Sequence, residues 1–222
     1  LLFSGEPTTA DSETMISVET GFKTRAWENR ARINGSVFYY QVDDQQLTAV
    51  GGTGNFTSLL NADKSVGYGF ELDGEAALDE NWFVTGGLSY NHTEIQQDDL
   101  AVDPCGAPCT LIDPTREDGR ALIDGNPLPQ APEWIANFSV RYTKEVGDGN
   151  FFVYTDWAYR SEVNFTLYEA VEFEGKSLTE GGLRIGYEWF KDESDYEIAL
   201  FGRNITNEQR LTGVIDFNNL TG

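Results

Sequence analysis

Short and long connections alternate along this chain, and that rhythm restricts its fold more than any other feature of the 222 residues. Tight, charged segments at 25–29, 79–81, 145–150 and 191–195 take turns with long loops expected over 46–65, 97–131 and 161–177. Between them lie eight stretches that read as strands, most with apolar and polar residues in alternation, the period of a strand whose faces meet different surroundings. An up-and-down barrel crossing an outer membrane produces this rhythm, with tight turns at its periplasmic rim and long loops outside the cell. The expected class is all-β, an antiparallel up-and-down transmembrane β-barrel segment.

The stretch 66–78 is the clearest strand. Val66, Tyr68, Phe70 and Leu72 alternate there with Gly67, Gly69, Glu71, Asp73 and Glu75, which places three acids in succession on one face. The stretch 15–24 sets Ile16, Val18 and Phe22 against Ser17, Glu19 and Lys23. In 151–160 the outward set is Phe151, Val153, Thr155, Trp157 and Tyr159, because the other register would put Asp156 and Arg160 into lipid. The last strand is expected over 196–206. Soluble sandwiches also alternate, so the aromatic residues carry weight. Trp27, Trp82, Phe151, Trp189 and Tyr196 adjoin the short turns, and Tyr39, Tyr90, Trp134 and Tyr159 lie toward the long loops. These are the two headgroup levels at which such rings settle.

A net charge of −22 excludes a nucleic-acid partner, since a phosphate backbone calls for clustered cations. Much of the acid falls in connections: loop 97–131 holds seven Asp or Glu against Arg116 and Arg120, and loop 161–177 holds Glu162, Glu169, Glu172 and Glu174. Such loops keep a protein soluble, and they also attract cations or Ca²⁺-bridged lipopolysaccharide. The two cysteines, Cys105 and Cys109, stand in Asp-Pro-Cys-Gly-Ala-Pro-Cys-Thr. That spacing allows a small disulfide ring, which persists in an oxidising compartment, while the sole His92 lies far off in sequence and argues against a Cys/His zinc site. The opening Leu1-Leu2-Phe3-Ser4-Gly5 has neither the basic region nor the apolar core of a signal peptide.

Several segments resemble the C-terminal part of a TonB-dependent outer-membrane receptor. Glu19-Thr20-Gly21-Phe22-Lys23, preceded by an acidic, Thr-rich stretch around Glu6-Pro7, is similar to that family's Glu-x-Gly-x-Lys strand. Gly69-Phe70-Glu71-Leu72-Asp73-Gly74-Glu75 resembles its next strand, and Asn126-Pro127-Leu128-Pro129-Gln130-Ala131-Pro132 its Pro-rich re-entry from an outer loop. Phe201-Gly202-Arg203-Asn204-Ile205-Thr206-Asn207-Glu208 is similar to its aromatic-x-x-Asn-Leu-Thr-Asn/Asp-Glu segment. The resemblance implies that residues 1–222 supply about eight of the 22 strands of a larger barrel. The family's plug domain, TonB box and final aromatic-ended strand are absent from the sequence, which stops at Asn218-Asn219-Leu220-Thr221-Gly222.

The function so implied is TonB-energised uptake, in a Gram-negative outer membrane, of a scarce nutrient such as a ferric siderophore, another metal chelate or a glycan. The implied partners are outer-membrane lipid, lipopolysaccharide, the small-molecule ligand, and the TonB complex acting through the plug. Alternatives of other classes are a passive porin or small closed barrel, and a soluble adhesin or carbohydrate-binding module. One histidine permits no nucleophile-base-acid set, and neither a phosphate loop nor a metal-spaced cluster is present. No enzyme activity, cofactor or metal is therefore expected. Glu71, Asp73 and Glu75 are expected to face Arg141, Arg160, Arg184 or the plug, and the oxygens of Asp113, Asp118, Asp124 and Asn126 do not match a twelve-residue Ca²⁺ loop. Arg116, Arg120, Phe165 and Tyr168 are the candidate ligand contacts, as loop groups able to grip anionic or aromatic parts.

Overall fold

The computed structural model describes residues 9–52 and 56–214. The Leu1–Gly5 opening, the Glu6-Pro7 stretch and the terminal Asn218–Gly222 lie outside them. The elements are β1 (Thr14–Ala26), β2 (Ala31–Gly51), β3 (Phe56–Ala77), β4 (Trp82–Ile95), and the two-residue strands β5 (Ala101–Val102) and β6 (Ala121–Leu122). There follow β7 (Trp134–Val146), β8 (Gly149–Arg160), the two-residue β9 (Val163–Asn164) and β10 (Glu174–Gly175), then β11 (Leu178–Lys191) and β12 (Ser194–Gly202). The eight long strands form one antiparallel sheet in the order β1-β2-β3-β4-β7-β8-β11-β12, the up-and-down order that the rhythm predicts.

Register carries the two-residue period across the whole sheet. Thr20, Val37, Phe70, Tyr90 and Trp134 stand in one row, and Phe151, Tyr187 and Ile198 in another on the same face. On the opposite face Gly21, Ser36, Glu71 and Ser89 form a row, as do Ser139, Asp156 and Gly182. The register expected for 151–160 is the one observed. Two aromatic levels are present: Tyr90 and Trp134 lie 4.8 Å apart toward the long loops, whereas Trp82 meets Tyr142 at 4.8 Å and Trp189 stacks on Tyr196 at 5.6 Å near the short turns.

The short turns are shaped by residues that accept a left-handed backbone or cap it. Gly147 (φ 62°) helps form the two-residue link from β7 to β8, and Asp192 (φ 51°) and Glu193 (φ 61°) form that from β11 to β12. Between β3 and β4, Asp79 Oδ1 accepts hydrogen bonds from the Asn81 and Trp82 amides at 2.7 and 2.9 Å.

Several charges of the polar face pair with one another. Arg141 reaches Glu188 at 3.1 Å, Arg203 reaches Asp156 at 2.9 Å, and Arg184 pairs with Glu197. Of the acid row on β3, Glu75 pairs with Arg32 at 3.3 Å and Asp73 accepts from the Asn34 amide at 2.8 Å. The partners of these two acids are thus on the adjacent β2, one strand away, and not the distant Arg141, Arg160 or Arg184. Phe152, fully buried on this face, lies 4.4 Å below the Arg141 guanidinium.

Two further expectations are corrected. Segment 46–65 is no loop: β2 and β3 stay paired from Gln46↔Asn61 to Gly51↔Phe56, so most of it is a hairpin continuing the sheet. A strand of 21 residues reaches roughly 70 Å, well past the apolar band of such a barrel. Its Gly-, Thr- and Ser-rich composition reads as a loop because ladder hydrogen bonds, which are indifferent to side chain, hold it. The last strand ends at Gly202, not at Thr206. There Asn204 folds the chain into a turn, its side chain bonding the Glu208 amide at 2.8 Å and the Glu208 carbonyl at 2.9 Å.

Candidate functional site

The three long connections do not extend freely from the sheet; they pack into one cap. Leu47 and Ala49 from β2, Ala62 from β3 and Ile95 from β4 share a core with Val102, Ala121 and Ile123 of the 97–131 segment. Leu167, Tyr168 and Ala170 of the 161–177 segment complete it. The hairpin joins this core because its alternation shifts at Asp44, whose φ of 56° is one that a short acidic side chain tolerates. Before that residue Val42 is buried, opposite Ser65; beyond it the buried residues are Leu47 and Ala49.

A buried polar pair lies within the cap. Asp113 is 8% exposed, and its Oδ2 accepts hydrogen bonds from Asn126 Nδ2 at 3.0 Å and from the Glu169 amide at 2.7 Å. Asn126 donates further to the Leu167 carbonyl at 3.1 Å, so the pair ties two connections together. Burial raises the Asp113 carboxyl above its ordinary range, and these two donors offset only part of that. Burial likewise raises Glu169, with added repulsion from Asp113 and Glu174.

Cys105 and Cys109 form a disulfide in the 97–131 segment. Farther along, Arg116 and Arg120 close a tight turn: the Arg116 amide donates to the Arg120 carbonyl at 2.9 Å, and Gly119 sits between them at φ 84°. Arg120 holds Asp118 at 2.9 Å, and its amide and guanidinium keep that carboxyl below the usual range. Arg116 donates to the Asp99 carbonyl at 3.4 Å. Phe165 packs over Gly175, where a Cβ would come within 2.7 Å of the ring. Tyr168 is 1% exposed and meets the Phe173 ring edge-on at 5.8 Å, so it supports the cap from within. The four candidate contacts therefore fall into two groups, a paired-arginine turn on one segment and two aromatics on another.

A cavity of about 310 Å³ opens between the end of β4, the start of β7 and the 161–177 segment. His92, Glu133, Asn164, Glu169 and Glu174 are among its lining residues. His92 lies 3.4 Å from both Glu94 and Glu133 and 4.8 Å from the Tyr68 ring. His92 comes from β4, Glu133 from the residue before β7, and Asn164, Glu169 and Glu174 from the 161–177 segment, so no local spacing marks the set. Among the described residues no group of three or more His, Cys, Asp or Glu is placed to hold a metal ion.

A family model described as TonB dependent receptor-like, beta-barrel matches residues 3–179. The chain belongs to that family. Its members are receptors and transporters rather than enzymes, and they work in the outer membrane. The receptor's fold resembles that of the ferric yersiniabactin uptake receptor from Yersinia pestis, with TM-score 0.65 and 17% identity, covering 90% of this chain and 26% of that one. It also resembles a siderophore receptor from Acinetobacter baumannii, with TM-score 0.62 and 15% identity over 91% of this chain and 26% of the other. The ferric-catecholate import receptor of E. coli K12 gives TM-score 0.62 and 15% identity over 96% and 27%. The chain thus spans about a quarter of the length of these structures. A search of curated proteins gave no match.

Proposed function

We propose that this receptor takes up a bulky iron chelate of the ferric-siderophore class across a Gram-negative outer membrane, energised by TonB. In this reading residues 1–222 are the C-terminal portion of the barrel, and the plug, TonB box and final strand belong to other parts of the protein. The apolar face meets lipid, the acidic cap meets lipopolysaccharide through bridging cations, and the self-paired polar face lines the lumen around the plug. The observation that carries the reading is the arc itself, matched by the family model and shaped like receptors for ferric chelates. Arg116, Arg120 and Phe165 are the proposed ligand contacts, with Tyr168 holding Phe165's segment in place.

Uptake of ⁵⁵Fe presented as defined ferric chelates, in cells carrying or lacking the full-length receptor, tests this. Uptake of at least one chelate that requires both the receptor and an intact TonB is the expected result. Equal uptake without TonB would indicate a passive pore, and equal uptake without the receptor would remove iron chelates as its cargo. In the same assay the Arg116→Ala/Arg120→Ala pair should weaken affinity about tenfold, the effect of losing roughly 1.4 kcal/mol; unchanged affinity dismisses both arginines.

A further inference from the structure

We infer that the Cys105–Cys109 ring is a tie-bar that makes three outer connections of the receptor move as one body. The ring stands between two inter-segment joints. On its N-terminal side the Pro104 carbonyl accepts a hydrogen bond from the Gly52 amide at 2.7 Å, which fastens the tip of the β2–β3 hairpin to the 97–131 segment. This joint is tight enough that a Cβ on Gly51 would collide with the Asp103 carbonyl.

On the C-terminal side the ring leads directly into a second ladder. The Thr110 amide and hydroxyl both donate to Glu172 at 2.9 Å. The Ile112 amide donates to the Glu169 carbonyl at 2.9 Å, the Val171 amide donates to the Thr110 carbonyl at 3.1 Å, and Leu111 pairs with Ala170. Between Pro104 and Thr110 run only Cys105-Gly106-Ala107-Pro108-Cys109. Uncrosslinked, a stretch with a glycine and no large side chain would absorb relative movement of its two ends. Closing it removes that freedom, so displacement of the hairpin tip is transmitted to 169–174. Of the wall strands only β2 reaches a joint, through Gly51 at the hairpin tip.

The consequence for the receptor is mechanical and does not depend on which ligand it carries. The hairpin, the disulfide segment and the 161–177 segment open or close over the lumen together, and independent gating falls to connections elsewhere in the barrel.

Hydrogen exchange on the full-length receptor in outer-membrane vesicles tests the tie-bar. In Cys105→Ser/Cys109→Ser, amides of 46–62 and 169–174 should exchange about tenfold faster together with those of 101–112, while β7 and β8 stay unchanged. Brief phosphine reduction of the folded wild type should reproduce this, which separates loosening from failed assembly. Gly51→Val, with the disulfide intact, should speed exchange at 101–112 as well as at the hairpin tip. Acceleration confined to 101–112 in the serine variant, or confined to the hairpin in Gly51→Val, overturns the proposal.

Discussion

In the strand wall Leu200 is 81% exposed to solvent and Ile198 67%, whereas in the cap Tyr168, Ile123 and Ala121 lose nearly all such exposure. The wall is ordered by backbone ladders and has no packed interior on its apolar side, the side proposed to meet lipid. Outside its β2–β3 hairpin the cap has few ladder bonds, and its two-residue strands could not persist alone; burial of side chains from three segments holds it. One chain therefore uses two sources of order, and a substitution should be felt in one region and not in the other.

The largest expected effect is Tyr168→Ala. Emptying the site of a fully buried ring costs about 3–5 kcal/mol, and hydrogen exchange should show the cap opening while β4, β7 and β8 keep their protection. Tyr168→Phe should preserve the cap. Loss of protection in the wall as well would mean that the two regions are one cooperative unit. Next comes Leu88→Arg, which places a charge mid-strand on the apolar face between Leu72 and Ala136. At mid-bilayer that costs about 2–4 kcal/mol, so the heat-modifiable folded band of the receptor should diminish in cold SDS gels. A soluble module would tolerate the change.

The smallest effect is a pH response restricted to the cap. Asp113 and Glu169 have raised folded values, so in this range the folded cap binds more protons than the unfolded one. Cap stability then falls as pH rises from the ordinary carboxylate value, about 4, through the raised folded values. Mild acidification from neutrality should therefore increase protection, measured as exchange corrected for intrinsic rate at each pH. Glu172 works oppositely and lower on the scale: Thr110 holds its carboxyl down, so its contribution is lost only as pH falls through that depressed value. In Asp113→Asn the gain on acidification should shrink, and an unaltered gain assigns it to other groups.

Much of the wall was legible in the sequence. Residues such as Val66 to Glu75 announce their faces because different surroundings on the two sides of a strand impose a period of two within it, and the Gly147 and Asp192–Glu193 turns are equally local. The wall's pairing partners were less legible: Glu75 meets Arg32 and Arg141 meets Glu188, matches that depend on register between strands. The candidate site was legible least. Arg116 and Arg120 do close one turn, but Tyr168, chosen as a loop group able to grip a ligand, is a core residue.

What the sequence by itself determined is the barrel wall: strand number, order, face assignment and the tight turns, of which the faces and turns are encoded by residues close in sequence. What only the tertiary structure decided is the cap. Its core draws on Leu47, Ala62 and Ile95 from the outer ends of three strands and on Ile123 and Tyr168 from two connections, with no shared period to mark them. Their burial arises from contacts between distant segments, and such contacts leave no repeat in any one of the segments that make them.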